Sequence, residues 1–183
     1  VREMIAVARN HPSVTIYSIG NECNTVNPEA DAFFRKLAAT IREADSTRLV
    51  SYAALYGTVG PIADIVDVLG INSYYGWYDQ IRQDGSDATR RVEGSESDRR
   101  TVARRLIDLA PMRAMLDKVL AGKPHLALLL TEFGADSVPG YYSASRDLWS
   151  EEYHADLLGE ILALAGEYPQ IVGTFPFCFT DYR

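Results

Sequence analysis

The chain has 183 residues, 47% of them apolar and 23% charged, and 25 acidic against 18 basic side chains give it a net charge of -7. That composition is globular and the length suits one sizeable domain, which excludes a disordered, collagen-like or disulfide-stapled chain. With no basic stripe it offers no surface for nucleic-acid phosphates, and no apolar run approaches the roughly 18 to 20 residues of a membrane helix.

The sequence opens at Val1, without Met and inside a helical pattern, so an upstream segment is expected. The compartment is left open, with the cytoplasm as the favoured expectation. Val14 to Ile19 is a β-branched and aromatic run ending in Gly20-Asn21-Glu22, which predicts a buried strand feeding a loop. Asn27 can cap a helix with Pro28 at its first position, and Ala30, Phe33, Phe34, Leu37, Ala38, Ile41 and Ala44 form its core-facing stripe. Leu49 to Ala53 is the next strand. Gly60-Pro61 starts a short helical turn, and Val66 to Asn72 is again strand-like.

From Arg82 to Arg105 half of the residues are charged, in mixed sign, which predicts a solvated loop running into a helix. Met112, Met115, Leu116, Val119 and Leu120 then mark one face of a helix ended by Gly122. His125 to Thr131 predicts a further buried strand. Ser150 can cap a helix with the stripe Tyr153, Leu157, Ile161 and Leu164, with Glu151 and Glu152 suited to the positive end of its dipole. Ile171 to Phe179, interrupted by Pro176, is the last strand.

Five nearly continuous apolar strands alternating with helices predict an α/β fold whose parallel sheet is covered on both faces. Periodicity does not separate an open sheet from a closed barrel. Polar and acidic residues at the strand C-termini, namely Asn21, Glu22, Asn72, Glu132 and Asp181, favour the barrel, whose active sites gather at that rim.

Glu22 and Glu132 stand out because each ends an apolar strand among turn-forming residues, where a rigid element can aim a carboxylate into the mouth of the sheet. Two carboxyls facing one cavity are the minimum equipment for breaking an acetal. One donates a proton to the leaving oxygen, and the other attacks the anomeric carbon or activates water. His11, His125 and His154 have no paired-ligand spacing, so neither a metal nor a cofactor is expected. Cys23 and Cys178 are expected as reduced thiols without a bond between them.

Four blocks carry a resemblance. Asn10-His11-Pro12-Ser13-Val14 leading to Ser18-Ile19-Gly20-Asn21-Glu22, then Asn72-Ser73-Tyr74-Tyr75-Gly76-Trp77-Tyr78, then Thr131-Glu132-Phe133-Gly134-Ala135-Asp136, then Leu148-Trp149-Ser150-Glu151-Glu152-Tyr153 resemble glycoside hydrolase family 2, its β-glucuronidases most of all. The resemblance implies a partial (β/α)8 TIM barrel, strands four to eight with their helices, over residues 1–183. It implies a retaining β-glycosidase with Glu22 as acid/base and Glu132 as nucleophile. Asn21 would bond the sugar 2-hydroxyl, Tyr74 would contact the nucleophile, and Tyr78 and Phe177 would line the sugar. Tyr75, Trp77 and Trp149 are expected to be packing residues.

The implied partners are a carbohydrate substrate, the N-terminal part of the barrel, and β-sandwich domains of a parent protein that can form a homo-oligomer. Phe177-Cys178 departs from the Trp-Asn pair of the β-glucuronidases, and the chain ends before their Asn-x-Lys. β-Galactosidase, β-galacturonidase and β-mannosidase activities, or a carbohydrate-binding barrel without turnover, therefore stand as alternatives.

Overall fold

A computed structural model describes residues 1–80 and 107–180. The charged stretch from Arg82 to Arg105 and the strand-end Asp181 lie outside the described residues. Five strands, β1 (Ile16–Asn21), β2 (Leu49–Leu55), β3 (Val68–Asn72), β4 (Ala127–Phe133) and β5 (Ile171–Pro176), form one parallel sheet in sequence order. Parallel neighbours need crossover connections, and sequential order is what successive βα units produce as they wind around a barrel. The fold is thus α/β, a partial barrel with all five strand C-termini on one rim.

Among the described residues the helices are α1 (Arg2–Ala8), α2 (Pro28–Ala44), α3 (Ala110–Ala121) and α4 (Glu151–Gly166). Asn27 caps α2 by accepting from the Glu29 N–H at 2.9 Å, and Ser150 caps α4 by accepting from the Tyr153 N–H at 3.1 Å. A 3-10 turn, Gly60–Asp64, is the crossover from β2 to β3. Among the described residues no helix is long and apolar enough to cross a membrane.

The core lies between the helices and the sheet. Phe34, Ala38 and Ile41 of α2, Met112, Met115, Leu116 and Leu120 of α3, and Tyr153, Leu157, Ile161 and Leu164 of α4 are buried. They join Tyr17, Ile19, Tyr52, Leu69, Ile71, Leu128 and Leu130 of the strands in one apolar cluster. Each large aliphatic side chain so buried contributes roughly 1.5–3 kcal/mol relative to exposure. Phe33 departs from the expected stripe. It sits on the flank of α2, 57% exposed, with its ring edge-on to Phe34 at 5.4 Å.

The strands also depart from expectation in two ways. β1 and β4 each begin and end two residues later than their apolar runs, so Asn21 and Glu132 are ladder residues, while β5 stops at Pro176. Coverage on both faces holds at β2 and β3, where Val50 to Ala54 and all of β3 are buried, but fails at the flanks. Among the described residues β1 and β5 each have one neighbour, and Val172 and Phe175 on β5 are 63% and 55% exposed.

Candidate active site

The rim at the strand C-termini collects the polar residues. Glu22 follows β1 with φ 54, in left-handed backbone that costs a residue other than glycine roughly 1–2 kcal/mol. Its N–H donates to the Ala53 carbonyl at 2.9 Å, so the turn is tied to β2. Its side chain reaches past β2, and Oε1 accepts from the Asn72 Nδ2 of β3 at 2.8 Å. The same nitrogen donates to Asn21 Oδ1 at 3.0 Å. Strands two places apart are nearly 10 Å apart in a flat sheet, so this contact depends on the side chains leaning inward over the rim.

Glu132 is held from the other side. In the β3–β4 ladder it is the partner of Asn72, after an irregularity that follows Ile71, and its carbonyl accepts from the Ser73 N–H at 2.9 Å. Tyr74 then donates its phenol to Glu132 Oε2 at 2.7 Å, a distance suited to a charged acceptor. The neighbouring Thr131 donates to Asn72 Oδ1 at 2.6 Å. Asn72 is completely buried and joins Asn21 at the end of β1 and Glu22 just after it to Thr131 on β4.

The electrostatics follow this geometry. Burial pushes the Tyr74 phenol well above the ordinary tyrosine range. The hydrogen bond to Glu132 adds to the rise, as do the charges of Glu132, Tyr78 and Glu22. One phenol thus feels both carboxylates. Burial likewise lifts Tyr52 to about 12, helped by Cys23 and, further down, by Glu22. Tyr52 donates to the Cys23 carbonyl at 2.8 Å and so braces the segment just after Glu22.

The structure therefore brings Asn21, Glu22, Tyr74 and Glu132 into one connected group. Tyr78 joins it through its ring, edge-on to Tyr74 at 5.3 Å and 49% exposed. Phe177 stands at the same rim, where its N–H donates to the Phe133 carbonyl at 2.9 Å, directly beside the strand of Glu132. The Phe177–Cys178 peptide is cis. Trp77 is buried and Tyr75 half-buried, as packing residues should be. Trp149 lies edge-on to Trp77 at 4.7 Å yet remains 40% exposed. Cys23 and Cys178 are free thiols.

The sequence by itself gives two members of the group no role: Asn72 reads only as a polar strand end and Thr131 as the close of an apolar run. The available signal was a polar residue interrupting or ending two of the most apolar strands, since buried polar groups need partners.

The family model described as glycosyl hydrolases family 2, TIM barrel domain, matches residues 1–183. A β-glucuronidase of Paenibacillus borealis is 29% identical over 181 residues, 98% of this chain and 27% of that protein. A β-glucuronidase of Streptococcus agalactiae is 26% identical, over 100% of this chain and 28% of that protein. The chain thus spans about a quarter of the length of these curated relatives. Among solved structures, the β-glucuronidase from Ruminococcus gnavus in complex with D-glucuronic acid superposes with a TM-score of 0.78 at 24% identity. The match covers 100% of this chain and 28% of that one, and it carries the fold alone. The Faecalibacterium prausnitzii β-glucuronidase gives a TM-score of 0.73 at 26% identity, over 99% of this chain and 27% of that one.

Proposed function

The chain belongs to glycosyl hydrolase family 2, and from that premise we propose that the protein carrying it hydrolyses β-glycosides with retention, with β-glucuronides as the first expected substrates. In this reading residues 1–183 are strands four to eight of the catalytic barrel, completed by the first three strands and accompanied by β-sandwich domains. The observation that carries it is the Tyr74 phenol, bonded to Glu132 and raised in pKa also by the charge of Glu22. Retaining glycosidases need two carboxyls about 5 to 5.5 Å apart.

In the first step Glu132 attacks the anomeric carbon. A carbon–oxygen bond to the enzyme forms as the glycosidic bond breaks, and Glu22 gives its proton to the departing oxygen. In the second step water attacks the same carbon, Glu22 takes the water's proton, and Glu132 leaves as a carboxylate. Tyr74 holds Glu132 Oε2, which leaves the other oxygen to attack. Asn21 bonds the sugar 2-hydroxyl, where a hydrogen bond strengthens as oxocarbenium charge develops. Tyr78 and Phe177 provide apolar walls beside it. Phe177 is an aromatic surface without an indole N–H, which weakens any polar contact at the sugar's floor.

A panel of p-nitrophenyl β-glycosides tests this in the full-length protein, with the glucuronide expected to turn over fastest. Glu132→Gln should abolish turnover of every substrate. Glu22→Gln should slow substrates with poor leaving groups far more than activated aryl glycosides, which depart without a proton. Equal losses for good and poor leaving groups would remove Glu22 from the acid/base role, and binding of a sugar lactone without any turnover would favour the carbohydrate-binding alternative.

A further inference from the structure

Asn72 is completely buried, and every polar atom of its side chain is engaged. Its two Nδ2 protons go to Glu22 Oε1 at 2.8 Å and Asn21 Oδ1 at 3.0 Å, and its Oδ1 accepts from Thr131 Oγ1 at 2.6 Å. The amide has one workable orientation. Turned over, its oxygen would meet the Asn21 oxygen with no proton between them, and Glu22 Oε1 would change from an acceptor into the oxygen that must hold the proton. The acceptors on Asn21 and Glu22 select the observed orientation, and the Thr131 hydroxyl satisfies the amide oxygen that this orientation leaves buried on the other side.

The space for that hydroxyl is built into the neighbouring strand. A Cβ on Gly70 would come within 2.9 Å of both Thr131 Cγ2 and Oγ1, so β3 yields a side chain at this position and β4 fills the gap. Thr131 is also the residue directly before Glu132. The chain of contacts thus runs from the strand of one carboxylate, through β3, to the other.

We propose that Thr131 and Asn72 form a positioning relay that fixes which oxygen of the Glu22 carboxyl faces the leaving group and which end of the Asn21 amide faces the sugar. The relay rests on the reading of Glu22 as acid/base. With Oε1 held by Asn72, Oε2 is the oxygen left to carry the transferred proton. With the Asn21 oxygen occupied, its NH2 is the end presented to a sugar hydroxyl. Neither Thr131 nor Asn72 touches the reacting atoms in this scheme. They act by holding groups that do, where a displacement of an ångström is enough to cost about 100-fold in rate.

The test compares Thr131→Val, which keeps the shape and removes the hydroxyl, with Thr131→Ser, which keeps the hydroxyl, in the full-length protein. For alkyl glycosides, whose leaving group needs the proton, Thr131→Val should lower kcat/KM by about 10- to 100-fold. The 2,4-dinitrophenyl glycoside of the same sugar should lose clearly less, only the part that comes through Asn21, and Thr131→Ser should recover most of both losses. Equal loss on both substrates, or a serine variant as impaired as the valine one, overturns the relay.

A second measurement does not depend on turnover. In asparagine-labelled wild-type protein the Asn72 side-chain amide protons should exchange slowly with solvent, and faster in Thr131→Val. Exchange at the free-amide rate in the wild type also overturns it. Absence of turnover of any glycoside by the wild type would instead sink the proposed function, and the exchange experiment would still judge the relay.

Discussion

Tyr74 shows how much a single hydroxyl carries at this rim. Its phenol holds its proton above the ordinary tyrosine range because burial and the Glu132 hydrogen bond both disfavour the phenolate, so it remains a donor to Glu132. Tyr74→Phe removes a hydrogen bond to a charged acceptor, an interaction of about 1.5–3 kcal/mol, and should lower kcat by about 10- to 100-fold. Steady-state kinetics on an activated aryl glycoside check this, since the nucleophile acts whatever the leaving group. A Tyr74→Phe variant as fast as wild type would show that Glu132 is oriented by other contacts. The carboxylates and Tyr74 were legible in the sequence because they fall at strand ends in recognisable blocks. Asn72 and Thr131 were not assigned a role because hydrogen bonds between strands far apart in sequence leave no local spacing to read.

At the level of elements, the loop after β3 is clamped by α4. Gly76 has φ +80, its carbonyl accepts from the Tyr153 phenol, and a Cβ there would lie 2.7 Å from Leu157 Cδ1. Gly76→Ala therefore combines a left-handed alanine with a steric conflict and should destabilise the domain by about 1–3 kcal/mol. Leu157→Ala, which empties a fully buried position, should cost about 2–5 kcal/mol. Both are read from denaturation midpoints, and a neutral Gly76→Ala would mean that the loop shifts freely and is not clamped. Helix stripes and caps were read well from the sequence, since apolar spacing and the side chains of Asn27 and Ser150 act locally. Strand ends were read less well. Backbone ladder bonds continue through Asn21 and Glu132 whatever their side chains, so each strand lies two residues further along the chain than the apolar run that marks it, at equal length.

Across the whole molecule, tyrosines lie on both layers of the fold. Burial raises the pKa of Tyr52, Tyr74 and Tyr153, so the folded state holds their protons where the unfolded chain has released them. Stability should therefore be insensitive to these groups below the unfolded tyrosine pKa of about 10, and should fall as pH rises beyond it. Urea midpoints between neutral and strongly alkaline pH, followed with tyrosinate absorbance, test this. Ionisation of all tyrosines near the ordinary value with the fold intact would contradict it.

The exposed flanks β1 and β5 have a different consequence. In the reading above both catalytic carboxyls lie within this one contiguous piece, and the strands that close the barrel lend shape and none of the pair. The enzyme is then divisible. A separately expressed fragment carrying the first three strands should dock along the two free edges and revive turnover in trans, in the manner of a split reporter whose signal depends on reassembly.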